Sequence, residues 1–162
     1  MARVYLETSF VSYLTAAPRE SRDPIAAAHQ QITIEWWSRR RADFELVVSQ
    51  IVIDEIQLGE PLLAKNRLEV VASLPRLLVT DQATSLARDI LSKELLPQKA
   101  FPDALHIAIA TVHQIDYLLT WNCKHIANLE VLPRIAAFCE DLGLILPIIC
   151  TPEELLGVAN DH

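Results

Sequence analysis

Short apolar runs alternate with longer stretches of helical spacing along the chain, and that alternation sets the first expectations. Val4-Tyr5-Leu6 stops at Glu7 and suits a short buried strand, and Thr8 to Thr15 follows as a helix ending before the Pro18 segment. Asp23-Pro24 supplies an N-cap and a first helical proline, so the next helix starts there and runs to Arg39-Arg40-Arg41. Its buried stripe is read as Ile25, Ala28, Ile32 and Trp36, with Ile34 and Trp37 as a second apolar flank about 100 degrees around. Phe44 to Ser49 reads as a second strand, and Gln50 to Leu58 as a helix ended by Gly59 and Pro61. Leu62 to Leu74 suits a helix and Leu77 to Thr80 a strand, and Asp81 caps a helix reaching Leu95 before Pro97. Asp103 opens a strongly apolar helix to His113, and Tyr117 to Thr120 is a strand. Helix resumes over Lys124 to Ala127 and Leu132 to Leu142, Ile148-Ile149 is a last strand, and Thr151-Pro152-Glu153-Glu154 begins a terminal helix. Apolar strands alternating with helices predict the α/β class, with a mainly parallel sheet covered on both faces.

With 162 residues, 51% of them hydrophobic, the composition suits one compact domain over residues 1–162. No apolar run is long enough to span a bilayer, and Val4 to Leu6 is too short for an export signal, which points to the cytoplasm. Cys123, Cys139 and Cys150 are odd in number and lack a C-x-x-C spacing, so neither a disulfide framework nor a cysteine zinc site is expected. The net charge of −7 argues against binding nucleic acid by bulk attraction. It is compatible with a nuclease whose acidic cluster holds a cation, because the cation then supplies the local positive charge.

Glu7, Glu55, Asp103 and Asn122 carry oxygen ligands and stand near the ends of predicted elements. In a parallel sheet, ligands sit beyond the carboxyl ends of the strands, which gives these distant residues a place to meet. Carboxylates within about 5 Å repel by roughly 3 kcal/mol at an effective dielectric near 20, so such a cluster calls for protons or a cation. Magnesium and manganese prefer oxygen donors and keep waters that serve as nucleophiles. Each residue also has an ordinary reading: Glu7 at a positive helix end, Glu55 as helix surface beside its competitor Asp54, Asp103 as an N-cap, Asn122 in a turn. His106, one turn beyond Asp103, is read as a core histidine, since no second histidine stands at zinc spacing. Lys124 and His125 suit a phosphate contact or a solvated loop, and Arg39 to Arg41 suit an RNA contact or a basic helix end. Thr8 and Ser9 lack the G-x-S-x-G turn and the His-Asp pair of a hydroxyl nucleophile.

Taken together, VYLETSFVSYL (Val4 to Leu14), SQIVIDEIQLGEP (Ser49 to Pro61) and FPDALHIAIATVHQIDYLLTWNCKHIAN (Phe101 to Asn128) resemble the motifs of the PIN-domain family, in particular the toxin ribonucleases of bacterial type II toxin-antitoxin modules. The resemblance covers nearly the whole chain. It implies a three-layer α/β/α sandwich and cleavage of RNA by an activated water with Mg²⁺ or Mn²⁺. It also implies a homodimer, and a cognate antitoxin whose tail covers the site, with the Ile34 and Trp37 flank as a candidate contact. Position by position, Glu7 and Asp103 match the primary metal ligands, with Glu55 and Asn122 completing the set and Thr8 and Thr120 as supporting hydroxyls. Two positions depart from the family pattern: Glu7 stands where Asp is usual, and Asn122 keeps an oxygen where the family commonly has an acid. A PIN-like RNA- or protein-binding module that has lost catalysis is the alternative that Asn122 suggests. A phosphoacceptor receiver domain expects an acidic pair after the first strand, where this chain has Glu7-Thr8, and a Lys after a late strand, where it has Trp121-Asn122.

Overall fold

The computed structural model describes residues 1–16 and 23–157. Among them, five strands form one all-parallel sheet: β1 (Arg3–Leu6), β2 (Glu45–Ser49), β3 (Arg76–Leu77), β4 (Tyr117–Leu119) and β5 (Ile148–Cys150), in the order β3-β2-β1-β4-β5. Successive strand residues point to opposite faces, yet Val4, Tyr5 and Leu6 are all 0% exposed, so both faces of the central strand are covered. The covering comes from α1 (Thr8–Thr15), α2 (Pro24–Arg40), α3 (Gln50–Gln57), α4 (Pro61–Val71), α5 (Asp81–Ser92), α6 (Phe101–Val112) and α7 (Leu132–Asp141). The chain builds outward from β1 to β2 and β3 on one side and to β4 and β5 on the other. The carboxyl ends of β1 and β4 therefore flank a topological switch point, the crevice where open α/β sheets bind ligands.

Helix starts follow local chemistry. Glu7 caps α1 through Ser9 N, Asp23 caps α2 through Ala26 N at 3.1 Å, and Ser49 caps α3 through Val52 N. Several expected elements come out differently. Thr80, not Asp81, caps α5, because the Thr80 hydroxyl accepts from Ala83 N and Asp81 falls inside the first turn. The sixth helix begins at Phe101, so Asp103 is not its cap but a first-turn residue. Lys124 to Ala127 forms only a hydrogen-bonded turn, with Ile126 N and Ala127 N both donating to Asn122 O; a single turn does not repay helix nucleation. Thr151 and Glu154 do bond reciprocally, but residues 152–156 form turns and a bend that do not propagate as helix, and the Pro18 segment and residues beyond 157 lie outside the described residues.

The buried face of α2 is rotated by about one residue from the expected stripe. Ile25 is 68% exposed and Ala28 is exposed, while Ala26, Gln30, Thr33 and Trp36 are buried. Two of these are polar and hide because they are bonded: Gln30 to Ala16 O, and Thr33 Oγ1 to His29 O and Trp121 Nε1. Trp37 leans on Phe10 and carries the Arg41 guanidinium 5.1 Å above its ring, whereas Ile34 is exposed. Arg39 and Arg40 are likewise engaged within the chain, by Glu35 and Asp43. No helix among the described residues is long and apolar enough to cross a membrane.

Candidate active site

Glu7 follows β1 directly, its backbone N–H donating to Leu119 O of β4 at 3.1 Å, so it stands at the switch point. It is 6% exposed and buries a carboxylate, which demands donors. They are present: Oε2 accepts from Ser9 N at 2.9 Å, from Thr120 Oγ1 at 2.9 Å and, in a very short bond, from Ser9 Oγ. The other oxygen, Oε1, takes no hydrogen bond among the described residues. It is not among the sealed atoms, because His29 Nδ1 is the unpartnered polar side-chain atom found fully enclosed there.

The Thr120 hydroxyl joins Glu7 to the far side of the site. It accepts from Asn122 N at 2.9 Å, and Asn122 Nδ2 donates to Asp103 Oδ1 at 3.1 Å. Asp103 Oδ2 lies 3.0 Å from His125 Nδ1, and His125 N donates back to Asn122 Oδ1 at 3.0 Å. Glu7, Asn122 and Asp103 thus belong to one continuous network although they come from the junction of β1 and α1, the loop after β4 and the first turn of α6. His125 turns out to be a partner of Asp103 instead of a solvated loop residue.

Glu55 reaches the same edge from α3. Its Oε1 accepts from Thr8 Oγ1, the residue after Glu7, at 2.6 Å and lies 2.6 Å from His106 Nε2. Burial alone raises this carboxyl, but the bond and charge of His106 and the Thr8 hydroxyl outweigh it and hold Glu55 below the ordinary glutamate range. The competitor Asp54 is exposed and accepts from Gln50 Nε2 at 2.8 Å, facing away. Glu7, Asn122 and Asp103 are therefore joined by hydrogen bonds through Thr120, and Glu55 approaches them through Thr8, the neighbour of Glu7.

Sequence reasoning missed part of this site. His106 is buried as expected, yet it is bonded to Glu55 and not merely packed; its spacing from Asp103 on one helix face was the available signal. Trp121 was not read as part of the site at all. Its backbone N–H donates to Ser9 Oγ at 2.8 Å, and its ring stacks on His29 at 3.9 Å with Tyr13 set edge-on to both. A Trp and a His as distant in sequence as Trp121 and His29 give no periodic signal.

The donor set is oxygen-rich and suits a hard divalent cation. Among the described residues no three His, Cys, Asp or Glu side chains are grouped as a metal cluster. Each carboxylate is instead held by a hydroxyl, amide or imidazole of the chain, and Asn122 is an amide among the acids.

An all-parallel β3-β2-β1-β4-β5 sheet wrapped by helices is a PIN-like α/β fold. Solved structures of this fold match between 75% and 92% of the chain. A toxin-antitoxin complex from Klebsiella pneumoniae matches with TM-score 0.57 and 15% identity, over 92% of this chain and 97% of the other. VapC20 of Mycobacterium tuberculosis, a toxin that cleaves the sarcin-ricin loop, matches with TM-score 0.59 and 17% identity, over 75% and 92%. VapBC2 of Rickettsia felis, bound to a DNA fragment from its promoter, matches with TM-score 0.52 and 15% identity, over 92% and 98%. At such identities the likeness is one of fold. No protein-family model and no curated protein sequence matches the chain.

Proposed function

We propose that this chain is a metal-dependent endoribonuclease, the toxin of a type II toxin-antitoxin pair, acting in the cytoplasm. The observation that carries the reading is the convergence of Glu7, Asp103, Asn122 and Glu55 at the switch point of a PIN-like fold. In this reading Glu7 and Asp103 are the primary ligands of Mg²⁺ or Mn²⁺, and Glu55 and Asn122 complete the set. When bound, the cation supplies an activated water and offsets charge on the phosphoryl oxygens. The chain's own part is positional. Ser9 and Thr120 fix the Glu7 carboxylate with Oε1 free, and the Asn122 amide and His125 hold Asp103. Hydrolysis joins the water oxygen to phosphorus and breaks one phosphate ester bond, releasing an RNA hydroxyl.

The partners follow from the same reading: RNA as substrate, a cognate antitoxin, and a second copy of the chain in a homodimer. The toxin-antitoxin assemblies among the structural neighbours support the antitoxin. The deciding variant is Asp103→Asn, in which the new amide still offers an oxygen to Asn122 and a donor to His125, so the fold is retained. Losing a charged ligand worth roughly 3 kcal/mol in the transition state lowers Mg²⁺-dependent RNA cleavage about 100-fold, and growth arrest on expression is lost with it. A folded Asp103→Asn protein that cuts RNA at the parental rate sinks this assignment.

A binding module without catalysis is the second reading, favoured by the charge missing at Asn122. It expects no Mn²⁺- or Mg²⁺-stimulated cleavage even with protein in excess over RNA.

A further inference from the structure

A line of buried hydrogen bonds runs from the sheet interior out to Glu55. Ser49, at the end of β2, is 0% exposed, and its Oγ lies 2.7 Å from the Tyr5 hydroxyl on β1. That hydroxyl, also fully buried, lies 2.7 Å from Nδ1 of His106 on α6, whose Nε2 in turn meets Glu55 Oε1 at 2.6 Å. The end of the line at Glu55 has a fixed direction. An ionised carboxylate only accepts, so Nε2 carries the hydrogen of the bond to Glu55, and the Tyr5 hydroxyl ties the other ring nitrogen to Ser49. Ser49 Oγ is itself fixed by Val52 N at 3.5 Å, at the start of the helix that carries Glu55.

Two donors, His106 and Thr8, thus converge on the same carboxylate oxygen, while Oε2 receives none among the described residues and the side chain remains 35% exposed. We propose that Ser49, Tyr5 and His106 form a positioning device that saturates Oε1 of Glu55 and leaves Oε2 as the oxygen offered to a divalent cation. The inference rests on the reading of Glu55 as a metal ligand. It gives His106 a role beyond packing: an imidazole that never touches the cation, acting through the carboxylate it holds. Partners of this kind commonly change metal affinity by about 10–100-fold when removed, because they set the orientation of the ligand.

The test is Mn²⁺ binding by titration calorimetry on the full chain, with circular dichroism confirming that each variant is folded. His106→Leu is expected to weaken binding roughly 10–100-fold, and His106→Gln, which keeps a donor near the Nε2 position, to recover most of the loss. Tyr5→Phe leaves the ring in place without its phenolic partner and is expected to weaken binding by a smaller factor, about 3–10-fold. In a Glu55→Gln background the His106→Leu change has no further effect, because nothing remains for it to orient. The positioning role is overturned if folded His106→Leu binds Mn²⁺ as tightly as the parent, or if its effect persists undiminished without the Glu55 carboxylate. Should His106→Leu fail to fold, unchanged affinity in Tyr5→Phe overturns it instead. A parent chain that binds no Mn²⁺ is a different failure: it removes the metal site itself, and this inference with it.

Discussion

Thr120→Val tests the junction on which the site depends. Thr120 is 0% exposed, and its hydroxyl donates to Glu7 Oε2 at 2.9 Å, accepts from Asn122 N at 2.9 Å and lies 3.3 Å from Ser9 Oγ. Valine keeps the shape and removes only the hydroxyl. A hydrogen bond to a charged group is worth about 1.5–3 kcal/mol, and the stranded Asn122 N–H adds about 1 more where water replaces the partner incompletely. Against this, Glu7 Oε2 keeps both donors from Ser9, so the net cost falls near 2–3 kcal/mol. In a chain of this size each kilocalorie lowers the melting temperature by about 2–4 °C, so a fall of roughly 4–12 °C is expected. Urea unfolding should show a lower midpoint with an unchanged slope. Ser9→Ala acts on the same carboxylate, so the two changes together cost less than their sum. A Thr120→Val protein within about 0.5 kcal/mol of the parent refutes the bridging role, because no buried hydroxyl making these bonds is that cheap to remove.

Two further outcomes follow from the acidic residues. Glu55 is held below its ordinary range when folded, so its contribution to stability is present above the unfolded value near pH 4.3 and is lost as pH falls through the lower folded value. Thermal melts of the parent and Glu55→Gln between pH 7 and about pH 3 should therefore converge at the acid end; a constant difference contradicts the shift. Asn122→Asp replaces the amide that donates to Asp103 Oδ1 at 3.1 Å by a second carboxylate. At about 4 Å and an effective dielectric near 20 the repulsion is about 4 kcal/mol, so the variant should melt lower than the parent and gain more from millimolar Mg²⁺. Equal responses to Mg²⁺ in the two proteins argue against a cation between these positions.

The central strands were legible because each is a short apolar run buried on both faces, and the helix starts because Glu7-Thr8 and Asp23-Pro24 carry their caps in sequence. Glu7, Glu55, Asp103 and Asn122 were legible as positions, since the ends of parallel strands and the helices after them share one edge. What joins them was not. Tyr5 and His106 are 101 residues apart, and only the fold makes the phenol the natural partner of the imidazole. The α2 stripe was misread for a related reason: hydropathy assigns Ile25 to the core, but Gln30 and Thr33 are buried because their polar atoms find partners on other segments. Lys124 to Ala127 has helical composition, yet Asn122 captures its first N–H groups and closes a turn.

The two departures from the family pattern acquire a physical meaning in these contacts. Glu7 serves as the cap of α1 and as the first acid of the proposed site, and one of its oxygens gathers Ser9 and Thr120 while the other stays open. Asn122 supplies a donor to Asp103 that an aspartate at this position lacks, exchanging a charge for a hydrogen bond. Every acidic member is thereby balanced by a neutral donor or an imidazole of the chain itself. Where a protein folds only around its metal, chelation unfolds it. Here the acids are already oriented by protein groups, so removing divalent cations should silence the proposed cleavage while leaving the sheet and its edge in place.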